Sequence, residues 1–344
     1  MSKADYLRKH RFIPVLLFCL VACDTPIPRE PETLEIRGAI MGTTYTVKVT
    51  VPGGAPVSEL DTNIQARLDE VNAVLSHWDN QSDVSRFNRA NLRSPIVLSE
   101  HTRKVMENAL ALAQKTGGAY DPTLGPLIEI WGFGRTEQIA FPEEAVLEQA
   151  RQQIGYHNLR LDGNAAEKTL ANLQINLSAN AKGYGVDVIA AYLESLGYTD
   201  YMVEIGGEVR VSSGNLRQKP WRIGINQPLG GPRDIYNVVN LTGQALATSG
   251  DYRNFFEKDG VRYSHLIDPR TGRPIIRGVA AVSVIGPDCM TADGLATGLI
   301  IMGPEEGLEL VESMAGFECL FLLYDGETGL REIASSGMAA FFSE

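Results

Sequence analysis

Asp293 and Thr297 stand four residues apart in "TADGLATG", residues 291–298, so a helix through them sets a carboxylate and a hydroxyl one turn apart on one face. Both are hard oxygen donors of the kind that hold Mg²⁺. The surrounding Met290, Leu295, Leu299, Ile300 and Met302 are apolar, so the helix reads as buried and closed by Gly303 and Pro304. A carboxylate there needs a partner, because a buried unpaired charge is costly. A plainer reading of the same residues makes Asp293 a first-turn cap and Thr297 a hydroxyl bonded back to its own helix.

Three other stretches carry chemistry. "NLSANAKGYGVD", residues 176–187, lies between a strand and a helix. Free N–H groups at a helix start, with Lys182 beside them, favour an anion such as a phosphate. The pattern is not GxxxxGK followed by Ser or Thr, so it is no Walker loop. Its plainer reading is a helix capped by Ser178 or Asn180 with Lys182 in solvent. In "SGDYRNFFEKDGVRYSHLIDPRTGRP", residues 249–274, His265 stands among Tyr263, Ser264 and Asp268. A histidine near a carboxylate can accept a proton at neutral pH. The Ser, His and Asp also raise a hydrolase triad, but no GxSxG elbow accompanies them. Finally, Asp121 of "AYDP", with Trp78 and Met41, could bond and pack a flat heterocycle.

The elements that must position these residues read as follows. Residues 44–51 alternate as a strand. A helix opens at Ser58, with Leu60, Ile64, Leu68, Val71 and Leu75 on its inner face, and a second runs from Ser99 to the stop at Gly117. Residues 119–134 are dense in Gly and Pro and read as an ordered loop with little regular structure, with a short helix after Pro142. Residues 169–178 read as paired strands, followed by a helix ending at Gly197. Strand candidates then crowd the rest of the chain, with Asp259-Gly260 a hairpin turn. A few helices among runs of strands indicate an α+β fold. No short-period repeat, low-complexity tract or sharp internal boundary is present.

The 344 residues carry a formal charge of −11 and 44% hydrophobic residues, which describes a globular chain with ample core. The N-terminus is a separate object. Lys3, Arg8, Lys9 and Arg11 precede "FIPVLLFCLVA", a run too short to span a bilayer and flanked like a secretion signal. "LVAC" resembles a bacterial lipobox, which implies cleavage after residue 22 and a lipid on Cys23, with Asp24 resembling an inner-membrane retention signal. Acyl chains anchor without spanning. Residues 23–35, rich in Pro and charge, read as a flexible tether, and 36–344 as the working unit. The mature chain keeps 27 basic and 41 acidic residues, a net −14 that argues against nucleic acid as a partner. Cys289 and Cys319 remain; in an oxidising periplasm they could pair, although spacing cannot place them within bonding distance, and two cysteines make a poor zinc site.

"MGTTY", "SDVSRFN", "DPTLGPLIEIWGFG", "LSANAKGYGVD", "VEIGGEV", "ATSGDYRNFFEKDGVRYSHLIDPRTGRP" and "CMTADGLATGLIIMG" occur in the order seen in the FAD:protein FMN transferase family, also called ApbE, which the chain resembles over nearly all of residues 36–343. The resemblance implies an ApbE-like fold of antiparallel or mixed sheets packed with helices, a T-fold-like tandem arrangement in a single catalytic unit. It implies transfer of FMN from FAD to a Thr or Ser hydroxyl of a membrane redox subunit, with Mg²⁺ required and AMP released. Subunits of the sodium-pumping quinone reductase and of Rnf-type complexes would be the acceptors, met on the periplasmic side of the inner membrane. Metal ligands would be the Asp293 carboxylate, the Thr297 hydroxyl and the Ala179 carbonyl. FAD would contact Met41, Trp78, Ala119, Tyr120, Asp121, Asn176, Lys182 and Ile267, and His265 would take the proton. The family usually has Asp in place of Asn176 and an aliphatic residue in place of Asn180, which bears on nucleotide affinity and metal dependence. Competing readings of the same site are a Mg²⁺-dependent FAD pyrophosphatase and a flavin-binding lipoprotein without chemistry.

Overall fold

The computed structural model describes residues 29–342, except 54–58, 135–140, 214–218, 230, 232–233, 252–254, 259–260, 276–277 and 327–328. The signal segment, Cys23, Ser58 and the Asp259-Gly260 turn lie outside the described residues.

Alternation starts the sheet. Strands β1 (Arg29–Ile40) and β2 (Thr43–Gly53) pair antiparallel through a two-residue turn, Met41-Gly42, in which both residues have positive φ. Residues 29–35, expected to be tether, are thus the first half of β1. Leu34 and Ile36 turn inward onto the core while Thr33 and Glu35 face solvent, so the segment has an apolar face to bury.

Helix α1 (Leu60–Leu75) buries Leu60, Ile64, Leu68, Val71 and Leu75, the stripe read from the sequence. Helix α2 (Asp83–Arg89), capped by Ser82, and the short β3 (Ile96–Val97) lead to α3 (Glu100–Lys115), where the Ser99 side chain accepts the Thr102 N–H. Residues 119–134 are not wholly irregular: α4 (Gly125–Ile130) forms there, with Pro126 in its first turn, where proline loses no helical bond. Helix α5 (Glu144–Arg151) and the hairpin β4 (Leu159–Asp162) and β5 (Ala165–Lys168) follow.

Residues 169–178 do not pair as strands. Leu173, Ile175 and Leu177 are buried at strand spacing, but side chains take much of the backbone's hydrogen bonding. Asn88 bonds both the N–H and the carbonyl of Ile175, and Lys168 Nζ bonds the Leu173 carbonyl. An isolated bridge to Leu124 remains.

The rest runs α6 (Ser178–Ser195), β6 (Tyr201–Ile205), β7 (Glu208–Val211), β8 (Trp221–Asn226), β9 (Ile235–Leu241) and β10 (Ala245–Gly250). Then come β11 (Phe255–Lys258), β12 (Val261–Ser264), β13 (Ile267–Asp268), β14 (Arg273–Pro274) and β15 (Val279–Gly286). Helices α7 (Cys289–Met302) and α8 (Pro304–Glu312) precede β16 (Glu318–Asp325) and β17 (Gly329–Ala334).

One antiparallel sheet, ordered β1-β2-β6-β7-β10-β15-β16-β17, joins both halves of the chain, and the fold is α+β as its patterning predicts. Ala247, Val282, Val284 and Phe321 pack under the helices; Leu246, Ala281, Leu320 and Leu322 pack under the β8-β9 ribbon. Burial on both faces explains why β15 is buried along its whole length and apolar but for Ser283, whose hydroxyl pairs with that of Thr248 at 2.8 Å. Cys289 and Cys319 are buried free thiols rather than a disulfide. Among the described residues no helix is long and apolar enough to cross a membrane.

Candidate functional site

Helices α6 and α7 pack closely because Gly183 faces the first turn of α7; a Cβ on it would strike the Cys289 carbonyl and lie 2.9 Å from Asp293 Cβ. The contact is fixed by hydrogen bonds as well. Asp187 of α6 accepts the Cys289 and Met290 N–H groups at 3.0 and 2.8 Å, and Arg210 of β7 donates to it at 2.8 Å. Burial raises the Asp187 pKa, and the donors from Arg210, Met290 and Cys289 oppose it.

Asp293 does not cap α7. Asp288 does, accepting the Thr291 N–H, so Asp293 stands in the second turn, 3% exposed. Its Oδ2 accepts the Gly183 N–H at 2.9 Å, and Lys182 Nζ lies 3.3 Å from Oδ1. A regular helix directs the Gly183 N–H at the Ala179 carbonyl, so the Asp293 carboxylate and that carbonyl share one neighbourhood. Thr297 bonds back to the Asp293 carbonyl at 3.4 Å and meets Ser249 of β10 at 3.1 Å.

Lys182 is partly buried and paired rather than free in solvent. Its ammonium lies 3.0 Å from Glu208 Oε1 as well as near Asp293. Burial, the largest single effect, pushes its pKa down, but Asp293 and Glu208 together outweigh it and raise it. Neither Ser178 nor Asn180 caps α6: Leu177 stands at the cap, and Asn176, one residue before it, accepts the Ser178 N–H at 2.9 Å. The Asn176 N–H reaches the Pro122 carbonyl and ties the Asp121 loop to the helix start. Asn180 points into the core and donates to the Val105 carbonyl and to Asn108.

These groups open on a cleft of about 380 Å³. Trp78, Ala119, Tyr120, Asp121, Asn176, Ala179, Lys182, His265, Ile267, Asp293 and Thr297 all line it. Met41 does not: it sits in the tight β1-β2 turn and packs beside Gly185, under α6. Trp78 is 55% exposed, with its ring tilted against that of His77, and its indole is open to a flat ligand. Asp121 is already engaged, accepting from the Thr123 N–H and hydroxyl and from the Tyr156 N–H, while burial raises its pKa against those bonds. The Tyr120 hydroxyl is buried and has no hydrogen-bond partner among the described residues.

His265 follows β12 and meets the edge of Phe133. Its neighbours do not form a hydrolase triad. The Ser264 hydroxyl is buried and accepts the Leu266 N–H, and Arg270 grips both Asp268 oxygens at 2.9 and 3.0 Å. The lining residues that sequence reasoning missed are chiefly Glu208, Ser249, Thr248, His77 and Phe133. Glu208 had a signal: on β7, Val209 and Val211 face the ribbon, so Glu208 and Arg210 must face the helices.

Among the described residues no cluster of three or more His, Cys, Asp or Glu side chains makes a metal cage. The donor set is instead carboxylate, hydroxyl and backbone carbonyl, which fits a hard cation such as Mg²⁺.

The ApbE family pattern matches residues 41–321. The chain belongs to the ApbE family. The FAD:protein FMN transferase of Vibrio cholerae is 42% identical over 330 residues, 95% of this chain and 97% of that one. The Haemophilus influenzae protein of the same name is 40% identical over 85% of this chain and 86% of its own length. Among solved structures, the flavin transferase ApbE of V. cholerae superposes with a TM-score of 0.82 at 41% identity, covering 91% of this chain and 100% of that one. The apo flavinyl transferase ApbE of Pseudomonas stutzeri gives 0.82 at 36% identity, covering 91% and 97%. The α+β architecture is therefore that of ApbE structures.

Proposed function

We propose that this chain is a FAD:protein FMN transferase that moves the FMN part of FAD onto a Thr or Ser hydroxyl of a target protein and releases AMP. The observation that carries the reading is that Asp293, Ala179 and Thr297 line one cleft together with Lys182, His265 and Trp78, with the Asp293 carboxylate held at the Gly183 N–H near the start of α6. Oxygen donors and an ammonium together suit a metal-bound pyrophosphate, and the exposed indole suits the flavin.

Trp78 packs the flavin, and Asn176 and the α6 amides face the phosphates. Lys182 is the full positive charge at that helix start. Bound at Asp293, Thr297 and Ala179, Mg²⁺ would supply electrostatic neutralisation of the pyrophosphate. His265 accepts the proton of the acceptor hydroxyl as its oxygen bonds the FMN phosphorus; the pyrophosphate P–O bond breaks and AMP departs with the electron pair. Phe133 and Ile267 keep that side of the cleft apolar. A lipid on Cys23 would hold the enzyme at the periplasmic face of the inner membrane, where subunits of the sodium-pumping quinone reductase and Rnf-type complexes are the acceptors.

The test is product analysis with FAD, Mg²⁺ and an acceptor subunit. One AMP released per flavin bound, lost with EDTA and in Asp293→Ala, supports the reading. AMP and free FMN without labelled acceptor indicate hydrolysis, and unchanged FAD a carrier. Full transfer in EDTA removes the metal assignment.

A further inference from the structure

Lys182 is held between two buried carboxylates that come from different elements: Glu208 on β7, 2% exposed, and Asp293 on α7, 3% exposed. Room for the lysine stem is built in. The β6-β7 turn places Gly206 at φ +61, where a Cβ would crowd Thr43 at 2.9 Å and come into contact with the Lys182 Cδ at 3.4 Å, so the lysine stem lies packed against this turn. The ammonium therefore occupies a formed slot rather than a chance position.

Asp293 Oδ2 already takes the Gly183 N–H, and Oδ1 is the oxygen that Lys182 approaches. A divalent cation at Asp293 and the Lys182 ammonium thus compete for the same oxygen. With Asp293 as its sole anion, the lysine would be left beside a new double positive charge against two buried carboxylate-bearing elements, where like charges are less screened than in water. We propose that Glu208 is a positioning residue that receives the Lys182 ammonium, so that Asp293 can take a divalent cation while the lysine stays aimed at the cleft. One ammonium and two carboxylates give the corner a charge of −1; a divalent cation takes it to +1, the sign that suits an incoming phosphate. The inference rests on reading this corner as the Mg²⁺ site.

Mn²⁺ binding to the full-length protein without FAD, read from the electron paramagnetic resonance signal of the free ion, tests it. Glu208→Gln should weaken Mn²⁺ at least tenfold, or about 1.4 kcal/mol. Lys182→Met should bind Mn²⁺ at least as tightly as the wild type, and the double variant should return to within about threefold of wild type, because no ammonium is left to compete. Unchanged affinity in Glu208→Gln overturns the proposal. A double variant as weak as Glu208→Gln also overturns it, since Glu208 would then be a ligand or a structural prop. Should Glu208→Gln not fold, Lys182→Met decides: weaker binding overturns the proposal and equal or tighter binding supports it. A wild-type protein that binds no Mn²⁺ removes the metal reading and this inference with it.

Discussion

Gly183→Ala should destabilise the protein, against the usual sign for glycine inside a helix. Replacing a helix-interior Gly by Ala normally gains about 1 kcal/mol. Here the new Cβ would collide with the Cys289 carbonyl, 2.6 Å from its carbon, and lie 2.9 Å from Asp293 Cβ. Carbon contacts relax toward about 3.5–4.0 Å, so α6 and α7 must part by roughly 1 Å. Overpacking of this kind costs about 1–3 kcal/mol. Parting also draws the Gly183 N–H off Asp293 Oδ2, a bond to a charged group worth about 1.5–3 kcal/mol. Less the helical gain, the net loss is about 1.5–5 kcal/mol. Urea unfolding measures it, as a fall in midpoint at unchanged slope. Gly185→Ala is the control, since its Cβ would meet only the ends of the Ile205, Met41 and Leu68 side chains, at 3.1 Å and beyond. A Gly183→Ala protein as stable as wild type, or matched by Gly185→Ala, would refute the close α6-α7 contact as the frame of the site.

His265→Ala should slow flavin transfer about 100-fold or more while FAD affinity changes less than about threefold; an unchanged rate places the base elsewhere. Trp78→Ala should weaken FAD by up to about tenfold, read by flavin fluorescence titration, with no loss of fold because the indole is mostly exposed; unaltered affinity would remove Trp78 from the flavin site. Burial pushes the Cys319 thiol up to about 12 and the Cys289 thiol well above its ordinary value. At pH 8 about one Cys319 in ten thousand is thiolate, so iodoacetamide should leave both unmodified until the protein unfolds, as peptide masses will report; alkylation of the native protein at the unfolded rate contradicts this.

Helices with an apolar stripe and a stop were legible in the sequence, as α1 and α3 illustrate, because each signal is local. Residues 169–178 misled because their alternation reports burial at strand spacing, whereas Asn88 and Lys168 take backbone bonds that strands would otherwise take. The tether was drawn too far because Pro and charge in residues 29–35 masked the inward Leu34. At the site, residue types announced Asp293, Thr297, Lys182 and His265, but their partners lie on other elements. No spacing links Lys182 to Glu208, or Thr297 to Ser249; the packing of α6 and α7 on β7 and β10 does that. Met41 stands in the β1-β2 hairpin turn, where it and Gly42 both take positive φ, a placement that the strand pattern of residues 44–51 alone did not announce.

The central claim is covalent transfer, and the mass of the acceptor tests it most directly. An acceptor subunit incubated with the full-length protein, FAD and Mg²⁺ should gain the mass of one FMN less water, remain fluorescent on a denaturing gel, stay unlabelled with the Asp293→Ala protein, and be labelled about 100-fold or more slowly with the His265→Ala protein. An acceptor whose mass does not change while FAD is split or bound intact would contradict the account.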